Sequence, residues 1–581
     1  MANSRLQKLG SYLRPHWRTV LFGTIALLIV NILGVYIPLL IRDSIDQLQG
    51  EFSFNQLSRT ALWLLLLSAI MWCFRMFSRT SIFGVGRQVE FGLKQRIFQH
   101  LLKIEPNYFS NNTSGDLINR ATSDVDNIRR LVGFAVLSFI NIIFAYAFTL
   151  PVMLKISARL TILAIAVYPF MLLTVQLFSG KLRRYQEEIQ VKLSDLSELI
   201  QEDMSGMALI RIYAQENQER EAFRQKNQQL LEANLKLART RNLLFPVIEG
   251  ISYISLLILL FIGTKAIANG EITVGDFIAL VLFVERLVFP TALLGFTITA
   301  YQQGEVSIDR VEAITKAEPK IKNLPQAIVL PAAEIKGEIS ARNLSYTYPG
   351  SDTPALYDLN FDIKPGETVA IVGSIGSGKS TLANAIPRLL NVERGLFLDG
   401  CDITKLDLAS LRQAIAYVPQ DSFLFSTSIK NNIRYGEPLA DTAEVVQSAK
   451  QAQIHPEILT FPQEYDTLVG ERGITLSGGQ RQRTALARAL LADAKVLILD
   501  DALSSVDNET ATRILDSLSP ARAKKTVIFI SHQLSAAAAC DRILVMDQGK
   551  IVQNGTHEIL VEEQGLYQSL WQQHQLKEVL N

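Results

Sequence analysis

The chain has 581 residues, 48% hydrophobic and 19% charged, with a formal net charge of +1. Near-neutrality offers no electrostatic ground for a nucleic-acid partner. Its three cysteines, Cys73, Cys401 and Cys540, lie far apart, show no metal or disulfide spacing, and read as small buried or lipid-facing thiols.

The apolar residues concentrate in the first half. Arg5, Lys8, Arg14 and Arg18 precede an apolar run without a small-residue cleavage site, so this segment is expected to stay as an anchor. Six stretches, 19–41, 60–77, 131–154, 160–178, 247–268 and 274–299, are long and apolar enough to cross a bilayer, which takes about 20 helical residues. One such stretch alone could be a buried core helix; six in one half of a chain predict a membrane domain.

The connections differ in kind. Segments 79–130 and 181–241 are long, polar and rich in Lys and Arg, whereas 43–59, 155–159 and 269–273 are short. Basic residues favour the cytoplasmic side, which predicts that both termini and both long connections lie inside. Strong helix formers in KLSDLSELIQED and QENQEREAFRQKNQQLLEANLKLARTR predict membrane helices that continue well beyond the bilayer.

The last apolar stretch carries Glu285 and Arg286. Counted from Val274, Glu285 lies about 16 Å along a helix, near the bilayer middle, where ionisable groups are costly and face a cavity or a partner. Neighbouring residues point about 100° apart. One is therefore expected to line a cavity while the other pairs with a neighbouring helix; a structural ion pair beside Pro290 is the alternative.

Composition changes after Arg310. Residues 1–315 read as the membrane domain, 316–337 as a Pro- and Lys-bearing linker, and 338–581 as an α/β domain of alternating strand-like and helix-like runs. Gly373, Ser374, Ile375, Gly376, Ser377, Gly378, Lys379, Ser380 and Thr381 read GSIGSGKST between the strand-like TVAIV and a helix-like run. That is a phosphate-binding loop in its required context. Its glycines let the backbone wrap around phosphates, Lys379 is expected to reach the β- and γ-phosphates of ATP, and Ser380 to ligate Mg2+. Asp500 closes the apolar strand VLILD and is the expected Mg2+-site carboxylate.

With LSGGQ at 476–480 downstream, the second half resembles the nucleotide-binding domain of ABC transporters, and the whole chain resembles a half-transporter of the exporter type. The resemblance implies a six-helix, all-α membrane domain followed by an α/β P-loop ATPase domain. It also implies that Tyr348 stacks on adenine, that Gln420 touches Mg2+, and that His532 contacts the γ-phosphate. Ser477, Gly478, Gly479 and Gln480 would contact ATP held by an opposite cassette. Asp507 matches the loop that crosses the cassette interface, and Glu471 lies in a loop resembling one specific to exporters. The bends at 114–124 and 207–216 resemble the short coupling helices that rest on the cassettes, with Tyr213 packing into the partner's.

One position departs from the family pattern. Asp501 stands where a Glu usually polarises the attacking water. It is one methylene shorter, so its carboxylate should stand about 1.5 Å further back, a misplacement that can cost about a hundredfold in rate. An intact signature beside a weakened base resembles the degenerate-site subunit of heterodimeric exporters, although symmetric homodimers are the general default. The expectation is ATP-driven export of an amphipathic small molecule, drug-like, lipid or peptide, by a heterodimer with a second half-transporter. The alternatives are an exporter-fold importer or a nucleotide-gated regulatory subunit.

Overall fold

The computed structural model describes residues 2–48, 54–507, 509–511, 513–514 and 525–580. The chain divides into two compact units, Met1–Leu102 with Asn112–Ala317, and Lys103–Asn111 with Glu318–Asn581.

In the first unit, six helices among the described residues are long and apolar enough to cross a membrane: α1 (Lys8–Leu48), α2 (Phe54–Leu101), α3 (Ser114–Ile156), α4 (Ala158–Ile212), α5 (Glu216–Ala268) and α6 (Val274–Thr315). At 1.5 Å per residue, α2 alone is about 72 Å long, more than twice the hydrocarbon core. Segments rich in helix formers thus prolong the helices past the apolar stretches, as expected. Trp63, Leu65, Trp72 and Phe261 expose half or more of their surface. Such faces are suited to lipid, which needs every backbone group bonded within the helix but leaves apolar side chains free to face outward.

The helices meet around α6. Phe283, Val284 and Leu287 are fully buried there, packed with Met153, Leu160 and Leu259. The Tyr168 hydroxyl donates to the Val284 carbonyl at 2.8 Å, satisfying a polar group that packing has removed from water. Asp276 and Thr273 close a capping box at the start of α6.

The stretch 160–178 lies in α4 as expected, with a local irregularity between Ile165 and Tyr168, where Pro169 lacks a donor and constrains the residue before it. One expectation needs correcting. The polar bend at 114–124 is the opening of α3, capped by the Thr113 side chain and continued through a π-helical turn at Arg120–Asp124. It belongs to the first unit; the short segment grouped with the second is Lys103–Asn111, where Glu105 accepts from the Lys320 backbone N–H at 3.1 Å. The other bend, between Ile212 and Glu216, does break the helix, with Ala214 at φ 51° and Tyr213 exposed.

Among the described residues the second unit contains two sheets. One is antiparallel in the order β2-β1-β4-β5, formed by β1 (Ile339–Tyr346), β2 (Leu356–Ile363), β4 (Leu396–Leu398) and β5 (Cys401–Asp402). The other runs β10-β9-β3-β8-β7-β6, from β3 (Thr368–Gly373), β6 (Ile415–Val418), β7 (Val496–Asp500), β8 (Thr526–Ile530), β9 (Arg542–Asp547) and β10 (Lys550–Gly555). Five of its strands are parallel, and only the edge strand β10 is antiparallel. β3, β7 and β8 are buried along their whole length, as strands covered on both faces must be. Parallel strands end together, so the loops after β3, β6, β7 and β8 share one edge of the sheet.

Candidate ATP site

That edge collects the phosphate loop, Gln420, Asp500, Asp501 and His532, which are spread over 160 positions of sequence. The loop between β3 and α7 (Lys379–Ala385) has the conformation its glycines allow. Gly373 has φ +151°, and a Cβ there would come within 1.9 Å of the Met546 carbonyl on neighbouring β9. No other residue fits that position. The Ser374 hydroxyl donates to Asp547 at 2.6 Å and ties the loop to the end of β9. Ile375 is almost fully exposed at the loop tip, Gly376 is also in the left-handed region, and Ser377 is buried. The Lys379 ammonium donates to the Gly373 and Ser374 carbonyls at 3.0 and 2.7 Å and to the Ser377 hydroxyl at 3.3 Å.

Asp500 is held from two sides. The Ser380 hydroxyl donates to Oδ1 at 2.9 Å and the Tyr417 hydroxyl to Oδ2 at 3.2 Å. Burial pushes the Asp500 carboxyl above its usual range, against the hydrogen bonds from Ser380 and Tyr417; Asp501 adds to the rise. Burial also lowers Lys379, opposed by Asp501 and Asp500. Tyr417 is pushed up, by burial first and then by Asp500.

Asp501 adopts the left-handed conformation at φ 49°, unusual outside glycine, while its backbone N–H donates to the Ile530 carbonyl at 2.8 Å. Gln420 Nε2 donates to Asp501 Oδ2 at 3.3 Å, whereas buried Oδ1 has no hydrogen-bond partner among the described residues. A buried carboxylate oxygen left unpaired is costly, and such exceptions concentrate where a site meets its ligand. Tyr348 offers one partly exposed ring, set edge-on to Tyr346 at 5.1 Å, and its hydroxyl lies 3.2 Å from Thr381 Oγ1. His532 follows β8 and is exposed.

The donors suit Mg2+. Ser380, Asp500 and Gln420 offer hard oxygens, and unpartnered Asp501 Oδ1 lies beside them. Among the described residues no three His, Cys, Asp or Glu side chains cluster as an all-protein metal cage. Mg2+ does not call for one, since it binds through one or two carboxylates together with phosphates and waters.

The signature residues stand apart from this group. Ser477 caps α8 (Gly478–Leu491) in a capping box with Gln480, whose Nε2 donates to Glu457 at 3.0 Å. A Cβ on Gly479 would come within 2.8 Å of the Ser505 carbonyl, so only glycine lets the helix start lie against the 504–505 turn. Gln482 clamps that turn, donating to the Ser504 hydroxyl and accepting from the Ser505 N–H, both at 2.9 Å. Among the described residues no hydrogen bond links 477–480 to Lys379, Asp500 or Asp501. Asp507 is exposed and accepts from the Thr510 N–H at 2.8 Å, and exposed Glu471 opens a 3-10 turn.

Tyr417 and Gln482 were not anticipated. Tyr417 lies three residues before Gln420, on the strand paired with β7, and that adjacency is the signal that would have found it. Gln482 carries no such signal.

The raised pKa of Asp500 has a stability consequence. The folded state tolerates the ionised form poorly, a cost absent below the unfolded pKa, growing as pH rises from there, and complete above the folded pKa. Asp500→Asn is therefore expected to raise the thermal midpoint of the nucleotide-free protein at neutral pH, by a margin that shrinks towards acid, while ATP turnover is lost. Thermal melts at several pH values read the first effect and phosphate release the second.

A phosphate loop, a strand-end Asp pair and a capped signature helix, joined in one chain to six membrane-crossing helices, define an ATP-hydrolysing ABC transporter. Family models agree: residues 20–291 match the ABC transporter transmembrane region and 356–504 match the ABC transporter family. The chain belongs to the ABC transporter family and is an integral membrane protein of the exporter type. It is 32% identical over 578 residues to a probable multidrug resistance ABC transporter ATP-binding/permease protein of Bacillus subtilis, covering 99% of this chain and 98% of the relative. It is 31% identical to the multidrug resistance-like ATP-binding protein MdlA of Escherichia coli, covering 99% and 97%. It is also 33% identical to an ATP-dependent lipid A-core flippase of Syntrophus aciditrophicus, covering 99% and 94%. A bacterial Atm1-family ABC exporter solved with ATP bound superposes with a TM-score of 0.76 at 26% identity, covering 97% of this chain and 98% of that one.

Proposed function

We propose that this chain is the degenerate-site half of a heterodimeric exporter in the bacterial inner membrane, with both termini cytoplasmic. It would couple ATP hydrolysis to outward movement of an amphipathic small molecule, drug-like, lipid or peptide. The observation that carries the reading is Asp501, a short, buried carboxylate with one unpartnered oxygen. Multidrug resistance and lipid transport in the names of the relatives support an amphipathic cargo.

In this reading Tyr348 stacks on adenine, while the backbone of 373–381 and Lys379 hold the phosphates. Ser380, Asp500 and Gln420 would hold Mg2+, which when bound neutralises phosphate charge. Asp501 orients the attacking water from a retracted position, and His532 contacts the γ-phosphate. Ser477, Gly478, Gly479 and Gln480 would meet ATP bound by the partner. This chain's signature thus serves a fast site built on the partner's Glu, and Asp501 serves a slow site of its own. Nucleotide binding biases a two-state equilibrium between closed and open cassettes, and that bias drives the membrane helices.

Size-exclusion chromatography with light scattering, alongside phosphate release, tests the pairing. The chain alone is expected to turn over ATP slowly, and faster once a partner with Glu at the matching position is added. A stable homodimer with ordinary turnover, about 1 to 1,000 per second, would contradict it.

A further inference from the structure

We propose that a cavity among α1, α2, α3 and α6 is a cargo site that selects amphiphiles with an anionic oxyanion head, a phosphate or sulfate ester on an apolar tail. The proposal rests on the export reading above and narrows its cargo. The cavity has a volume of about 450 Å³, within the range of small-molecule sites. Leu27, Val30, Ile37, Phe289 and Leu293 supply apolar wall, and Arg75, Arg79 and Arg286 supply charge. No Asp or Glu lines it, and among the described residues none of the three guanidiniums has a carboxylate partner.

Arg286 is built into position. Its Nη2 donates to the Asn31 carbonyl at 3.0 Å and to Asn31 Oδ1 at 3.1 Å. Asn31 is itself fixed, its Nδ2 donating to Leu27 O at 2.9 Å and to Asn141 Oδ1 at 3.1 Å. Gly34 makes the approach possible, since a Cβ there would fall 1.8 Å from Arg286 Nη1. Only Nη2 is engaged, so Nε and Nη1 donate to no protein group among the described residues.

The neighbours repeat the sign. Arg75 and Arg79 are four residues apart on one face of α2, an arrangement that like charges make unfavourable. Arg75 donates only to Met71 Sδ, at 3.6 Å, and Arg79 makes no hydrogen bond among the described residues. Glu285 does not compensate: it is exposed and does not line the cavity. Charged groups persist within membrane segments when they face a cavity with work to do. Three guanidiniums of one sign beside apolar wall ask for an oxyanion, whose geometry their fork-shaped donors match, and they repel a cationic amphiphile.

The test uses the full chain, together with its partner where the two co-purify, in nanodiscs of phosphatidylcholine. Dissociation constants are measured for dodecyl phosphate, dodecyltrimethylammonium and inorganic phosphate. Dodecyl phosphate is expected to bind at least about tenfold tighter than the ammonium amphiphile, since like charges brought together are strongly penalised. Arg286→Gln should reduce that preference. So should Arg79→Gln, which breaks no hydrogen bond among the described residues and so does not depend on refolding the site. Inorganic phosphate binding as tightly as dodecyl phosphate would overturn an amphiphile site. Equal binding of the two amphiphiles, or a preference untouched by both substitutions, would overturn an anion site. Transport assays in proteoliposomes separate the two readings. Selective binding of dodecyl phosphate with movement of neither amphiphile sinks export and leaves the site standing; movement of the ammonium amphiphile without any phosphate preference sinks the site alone.

Discussion

Lys379→Ala is expected to lower ATP turnover of this chain's own site by at least about a hundredfold, the usual cost of removing a preorganised charge aimed at developing negative charge. The ammonium is buried, donates three hydrogen bonds within the loop, and lies close enough to Asp500 and Asp501 for both to oppose the lowering of its pKa. Alanine removes the cation that faces that pair. ATP-analogue binding should weaken together with turnover, since the lysine would serve both ground and transition states. Phosphate release from a dimer whose partner site has been disabled reads the effect. Undiminished release would mean that the loop does not hold the reacting phosphate.

Asp501→Glu should act in the opposite direction, raising turnover at the same site by up to about a hundredfold, because a displacement of about an ångström can cost that much. The backbone at 501 is pinned by its bond to Ile530 and cannot advance the carboxylate. The side chain, by contrast, is held only by a long contact from Gln420, and Oδ1 is unpartnered, so an added methylene can carry the charge forward without breaking a strong bond. Asp501→Asn provides the control: little further loss is expected if the site is already slow. An unchanged rate in the Glu variant would show that reach does not limit this site, and would weaken the case for a heterodimer.

Much of this was legible from contiguous residues. GSIGSGKST lies between β3 and α7 as its glycines and apolar flank indicated, and VLILD is the buried strand that ends in Asp500. The six apolar stretches became six long helices, since lipid leaves a lone segment no other way to satisfy its backbone. One error came where a local signal has two outcomes. The polar residues at 114–124 suit a short surface helix and a helix N-terminus equally well, and the Thr113 cap decides for the second. Pro38, Pro151 and Pro290 sit inside helices, whereas Pro169 marks a local irregularity.

Glu285 and Arg286 show the boundary most clearly. Sequence placed two ionisable groups within a membrane helix and required them to point apart. It could not assign which one meets the cavity, because the deciding groups, Asn31 and Gly34, lie some 250 positions away on another helix. Tyr417 likewise reaches Asp500 only through the pairing of β6 with β7. By itself, then, the sequence determined the membrane helices, the phosphate loop, the signature and the Asp at 501, all of which depend on residues adjacent in the chain. Only the tertiary structure decided which polar atoms are satisfied and which are left to face a ligand, since burial and partnership are set by segments that meet in space.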